Sequence, residues 1–166
     1  MTPEDVLSEL INDKRMWEVL TDWNRFAKDL EVVEGWNDSS GKEKEKDSRQ
    51  LRFKVVLTTW MGTWSARNNK SQKITRVGDT IRLTEVDKLT GIPYVRGINV
   101  TTTWVLRPSP EEVNRATTAK VYVKVEFDRS RLVAAQMKIF DARIRGIIES
   151  AAGHLASNML IVSPAQ

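Results

Sequence analysis

Residues 120–147 read KVYVKVEFDRSRLVAAQMKIFDARIRGI, and the change of rhythm inside this stretch decides the fold class. Val121, Val123, Val125 and Phe127 alternate with Lys120, Tyr122, Lys124 and Glu126. An apolar residue at every second position marks a strand with one buried and one wet face. After Asp128 the apolar residues fall three and four apart, at Val133, Met137, Phe140, Ile144, Ile147, Ala151 and Leu155. That spacing predicts an amphipathic helix over about 130–160, with Lys138, Arg143, Arg145 and Glu149 off the stripe. At 1.5 Å per residue such a helix is about 45 Å long, enough to lie across a whole sheet.

The period of two continues upstream. Ile98, Val100, Thr102, Trp104 and Leu106 form one face of a segment, Ile81 and Leu83 another, and Leu51, Phe53, Val55 and Leu57 a third. These are antiparallel strands. Pro108 and Pro110 close the 98–106 strand, because proline lacks the N–H that a central ladder needs. At the other end, Thr2-Pro3-Glu4-Asp5 opens a helix with a capping hydroxyl, a proline at its first position and acids in its first turn. Val6, Leu7, Leu10 and Ile11 are its apolar stripe, and a second short helix with Trp17, Leu20 and Phe26 facing inward extends the helical region to residue 28. A first strand is expected over 29–36. Residues 37–49 hold no hydrophobic residue and are expected to form a mobile surface loop. The order is helices, antiparallel strands, then one long helix. It predicts a single α+β domain over 1–166, with a core over about 6–160, in which the last helix buries its stripe against the sheet.

Composition narrows the function. The 166 residues contain no cysteine and one histidine, His154, so thiolate metal sites, cysteine nucleophiles and histidine-dependent triads are not expected. The eight glycines are scattered and form no phosphate-binding loop. No catalytic residue, metal site or cofactor is assigned. No apolar run approaches the length of a membrane span, and no signal peptide precedes the domain, so the chain is expected to be intracellular, facing the cytosol. The net charge is +4 but uneven: residues 1–50 hold 8 Lys/Arg against 13 Asp/Glu, and residues 51–78 hold six cations and no acid. Such a segment attracts phosphates, of nucleic acid or of an anionic lipid surface. No aromatic-basic signature of an RNA-binding sheet accompanies it, so nucleic acid is not an expected partner.

Residues 58–64, Thr-Thr-Trp-Met-Gly-Thr-Trp, stand out. Two Trp and a Met flank Gly62 in what reads as a turn, where soluble proteins normally place polar residues. Insertion into a membrane or closure over a cavity would account for them, as would folding back into the core. Arg67, Lys70 and Lys73 follow at once, and Trp with Lys/Arg is the pairing expected at an anionic membrane interface. Gly91-Ile92-Pro93-Tyr94 is a second local feature, a bend before the 98–106 strand.

The element order resembles the helix-grip fold of START-like domains, and finer features resemble the VASt branch, the sterol-transfer domains of the Aster and yeast Lam proteins. The matching pieces are Arg52 to Leu57, Trp60-Met61-Gly62-Thr63, Lys73 to Val77, Ile92-Pro93-Tyr94, the strand 98–106, the helix 130–155 and Trp36. The family's loop is typically Pro-Leu-Gly-Pro, and Trp60, Met61 and Thr63 replace its other positions. The acids that usually flank Pro-Tyr are absent, with Gly91 before and Arg96 after.

The resemblance implies a curved antiparallel sheet and a C-terminal helix enclosing an apolar cavity, gated by the 60–64 loop. It implies lipid contact by Trp60, Met61, Gly62, Trp64, Tyr94, Trp104, Met137, Phe140 and Ile144, and membrane docking by Arg67, Lys70 and Lys73. It further implies a monomer that binds a sterol and transfers it between membranes, at endoplasmic reticulum contact sites if segments outside this chain anchor it there. Two other functions suit the same fold: a protein-binding module with a side-chain-filled interior, and a small-molecule enzyme.

Overall fold

The computed structural model describes residues 1–12, 27–37, 48–59, 62–92, 95–109 and 117–128, together with 134, 137–139, 141, 142, 144–146, 149 and 153. Helix α1 spans Pro3–Leu10, and strands β1 to β6 span Ala27–Asn37, Ser48–Thr59, Gly62–Val77, Thr80–Thr90, Gly97–Pro108 and Thr117–Asp128. The strands form one six-stranded sheet in the order β1-β2-β3-β4-β5-β6, and each neighbouring pair is antiparallel. This is an α+β architecture built on an antiparallel meander.

The local chemistry explains the elements. Thr2 caps α1: its Oγ1 accepts from Asp5 N at 3.2 Å, and Asp5 Oδ2 accepts from Thr2 N at 2.7 Å. This reciprocal box satisfies two N-terminal amides that the helix itself cannot. Val6, Leu7 and Leu10 are buried, as the stripe requires. Strand β3 turns into β4 through Gly78 and Asp79, with Gly78 at φ 55°, a left-handed conformation that costs glycine little.

Alternation sorts β2 to β6 onto two faces. On the inner face, the register aligns Phe53, Asn68, Leu89, Ile98 and Phe127 in one row at one end, with Val55 opposite Ala66 one step further along. It aligns Ile74 with Leu83 and Trp104 with Val121 at the other. Two separate apolar clusters result. The first joins Ala66, Leu89, Ile92, Val95, Ile98, Val100 and Ile144. The second joins Val6, Leu7 and Leu10 of α1 to Ile74, Ile81, Leu83, Trp104 and Leu106.

Several expectations change. Helix to residue 28 gives way to β1 at Ala27, and 13–26, with Trp17, Leu20 and Phe26, lie outside the described residues. The polar loop loses both ends: Asn37 closes β1, while Ser48 and Arg49 open β2, with 38–47 outside the described residues. Arg49 is buried, the opposite of a loop cation. Gly62 and Trp64 belong to β3 rather than to the turn, with Trp64 paired to Leu57. The longest strand, β3, was legible only at its end, because its inner face carries Asn68, Lys70 and Gln72 between Ala66 and Ile74.

Of the expected long helix, the described residues from 134 to 153 have helical backbone. Ile144 is buried in the first cluster and Met137 packs against it, and Arg145 donates to the Val123 carbonyl of β6 at 2.9 Å. A continuous helix over 130–160, with Val133, Phe140, Ile147 and Leu155, lies outside what is described. Among the described residues no helix is long and apolar enough to cross a membrane.

The two faces make a direct contrast. Leu83 is fully buried and Val77 is 72% exposed. Leu83→Ala is expected to lower unfolding free energy by about 3 kcal/mol, and Val77→Ala by less than about 0.5 kcal/mol, both read from urea denaturation. Equal costs would mean the inner face is assigned to the wrong side.

Candidate functional site

Between the two apolar clusters, a belt of polar side chains crosses the inner face. Strand β3 contributes Asn68, Lys70 and Gln72, β4 contributes Glu85 and Asp87, β5 contributes Thr102, and Arg49 of β2 closes it. The positions follow from alternation alone: on β4, Ile81, Leu83, Glu85, Asp87 and Leu89 share a face, so two acids sit where a period of two would place core residues.

The belt is bonded end to end. Arg49 Nη2 donates to the Ile11 carbonyl at 3.2 Å, its Nε donates to Gln72 Oε1, and its guanidinium lies 4.6 Å from the Trp36 ring centroid. Gln72 Nε2 donates to Glu85 Oε1 at 2.6 Å. Trp104 Nε1 donates to Glu85 Oε2 at 3.0 Å. Lys70 Nζ lies 3.0 Å from Glu85 Oε1 and 3.4 Å from Asp87 Oδ2. Asn68 Nδ2 donates to Asp87 Oδ1 at 2.6 Å. That bond orients the amide, and Asn68 Oδ1, in a residue only 3% exposed, has no hydrogen-bond partner among the described residues. A buried acceptor without a donor is costly.

Two cations and two carboxylates make the belt neutral. Burial alone would lower the Lys70 pKa, but Asp87 and Glu85 outweigh it and hold the ammonium protonated above its ordinary range. Burial would raise Glu85, yet Lys70 and the donors Trp104 and Gln72 pull it below 4.5. Asp87 moves upward, chiefly through desolvation, with Lys70 opposing.

The expected site residues separate accordingly. Trp64, Met137 and Ile144 meet at the first cluster. Trp104 lies across the belt in the second, anchored by its indole N–H. Gly62 opens β3 beside them, while Trp60, Met61, Tyr94 and Phe140 lie outside the described residues. Arg67 and Lys73 are exposed on the outer face. Lys70 is not on that face: its side chain is 12% exposed and turned inward to two carboxylates. Sequence reasoning missed the belt because it stopped the β4 alternation at Leu83, and carrying it on would have brought Glu85 and Asp87 inward. Among the described residues no cluster of His, Asp and Glu could hold a metal ion.

Comparison with known families finds that the model described as VASt, VAD1 Analog of StAR-related lipid transfer domain, matches residues 1–153. No curated protein matches the chain.

Lys70→Met would leave two buried carboxylates without their shared cation, at a cost of about 3 kcal/mol at neutral pH. In the wild type, the Lys70 contribution is present below 10.5 and lost as pH rises through its elevated value. The Glu85 contribution is present above 4.5 and lost as pH falls through its depressed value. In the variant Lys70 no longer opposes the desolvation that raises both carboxyls, so the deficit should shrink as pH falls towards 5 and they take up protons. Urea unfolding of both proteins across that range is the check. A deficit independent of pH would mean Lys70 contributes packing rather than charge.

Proposed function

The chain belongs to the VASt family, whose members are StAR-related lipid-transfer domains, and from that membership we propose that it binds a sterol on the inner sheet face and carries it between membranes. The observation that favours a sterol is the neutral belt between apolar fields. A sterol is a large hydrocarbon body with one hydroxyl. Its rings would lie over the first cluster, against Trp64, Met137 and Ile144, gaining about 25 cal/mol for each Å² of apolar surface removed from water. Its hydroxyl would donate to Asn68 Oδ1. A phosphate headgroup, by contrast, would find no uncompensated cation in the belt.

In this proposal Trp60 and Met61, which precede Gly62 in the sequence, form the gate, and Tyr94 and Phe140 complete the lining. Arg67 and Lys73 assist docking at an anionic surface. Lys70 drops out of that set, since its charge is spent on Glu85 and Asp87. Action at endoplasmic reticulum contact sites, with an anchor outside this chain, is part of the same reading.

Native mass spectrometry of the purified protein should show a mass increment of one sterol. Replacing Trp60 and Met61 by Ser should slow sterol transfer between liposomes severalfold while leaving the melting temperature nearly unchanged. A double variant that transfers at the wild-type rate would remove the gate, and a protein that takes up no sterol at all would remove the function.

A further inference from the structure

The sheet sorts charge by face. Strands β3, β4 and β5 contain two acids, Glu85 and Asp87, and both point inward to the belt. The outer face of the same three strands carries Arg67, Lys73, Arg82, Lys88 and Arg107, all exposed and without an acid among them. Lys120 of β6 extends the set, since Arg82 and Lys120 both pair with Val105.

At the margins the cations are neutralised: Arg52 with Glu31, Lys54 with Asp29, and Lys124 with Glu126. The six central ones form no ion pair among the described residues. Short polar side chains stand opposite them, Thr84 to Lys73, Thr75 to Arg82, Thr90 to Arg67 and Asn69 to Lys88. Both described tryptophans of β3–β5, Trp64 and Trp104, belong to the inner clusters. The outer surface of β3–β5 therefore offers cations and hydrogen-bond donors. The exposed aromatic beside it among the described residues is Tyr122 of β6, opposite Thr103, which alone does not make the series of stacking platforms that single-strand nucleic-acid binding uses.

We infer that this outer face docks side-on against an anionic bilayer, engaging the phosphate-bearing headgroup layer along the whole length of the strands. The choice of a bilayer over another polyanion rests on the lipid-transfer reading. The geometry departs from a mouth-down approach. Arg82 pairs with Thr75, which lies 13 residues beyond Gly62 on β3, and at about 3.3 Å per residue that is roughly 40 Å from the β2–β3 turn. Docking by the turn alone would leave Arg82, Arg107 and Lys120 out of reach of the surface, beyond a Debye length of about 10 Å.

The test is co-sedimentation of the wild type and the triple variant Arg82→Gln/Arg107→Gln/Lys120→Gln with phosphatidylcholine vesicles, with and without phosphatidylserine, at low salt. All three side chains are exposed, so both proteins should melt at the same temperature. The wild type should bind only the vesicles with phosphatidylserine. Each cation removed should weaken binding by a factor of about five, so the triple variant should bind roughly a hundredfold less tightly. Wild-type affinity in the triple variant would overturn side-on docking in favour of the turn. Preference of the wild type for a single-stranded oligonucleotide over anionic vesicles would overturn the choice of a bilayer. Because no sterol enters the assay, vesicle binding by a protein that takes up no sterol would uphold the docking face while removing the transfer function.

Discussion

The Lys70 ammonium, held between Glu85 and Asp87 on the inner face of the sheet, sets the terms for the rest of the fold. Charges removed from water cost several kcal/mol each unless their partners are in place. Here the partners sit on different strands: Lys70 on β3, its carboxylates on β4, Arg49 on β2 and the Trp104 indole on β5. The network can close in one register only. A slip of one residue would turn Lys70 outward and strand Glu85 and Asp87 inside, so the belt specifies strand pairing beyond what apolar contacts achieve. Arg49 extends this control to α1, whose end it holds through the Ile11 carbonyl, and to β1 through Trp36.

The same belt divides the inner face into two apolar fields with different coverings. Helix α1 closes the field around Leu83 and Leu106, where Val6, Leu7 and Leu10 are themselves buried. The other field is met by Met137 and Ile144 from the helical residues near the C-terminus. It lies at the end of the sheet where β2 closes at Thr59 and β3 opens at Gly62. In the proposed function, a ligand lying there would rest on this hydrocarbon with the Asn68 acceptor at the belt. Charge sorting follows from the same arrangement: with both central acids drawn inside, the outer face keeps its cations unopposed.

Much of this was legible in the sequence. Alternation at 98–106 and 121–127 assigned β5 and β6 to the correct faces, and Thr2-Pro3-Glu4-Asp5 marked the start of α1 because its capping chemistry is local. The order of motifs around Gly62 and Ile92-Pro93-Tyr94 pointed to the family. What escaped was the middle of β3. Its inward residues are Asn68, Lys70 and Gln72, and a period-two pattern read from hydropathy is silent where the buried face is polar. Lys70 looked like a surface cation for the same reason. Its partners Glu85 and Asp87 are fifteen and seventeen positions away, and only strand pairing brings them together.

The central claim is that a neutral belt whose buried Asn68 acceptor lacks a donor among the described residues selects a hydroxylated, uncharged lipid. The most direct measurement compares the affinity of a sterol and of its 3-deoxy analogue in the wild type and in Asn68→Leu. The account predicts that the wild type prefers the hydroxylated sterol by about tenfold, the worth of one buried hydrogen bond, and that Asn68→Leu loses this preference while binding the deoxy analogue at least as well. Equal preference for the hydroxyl in both proteins would contradict it.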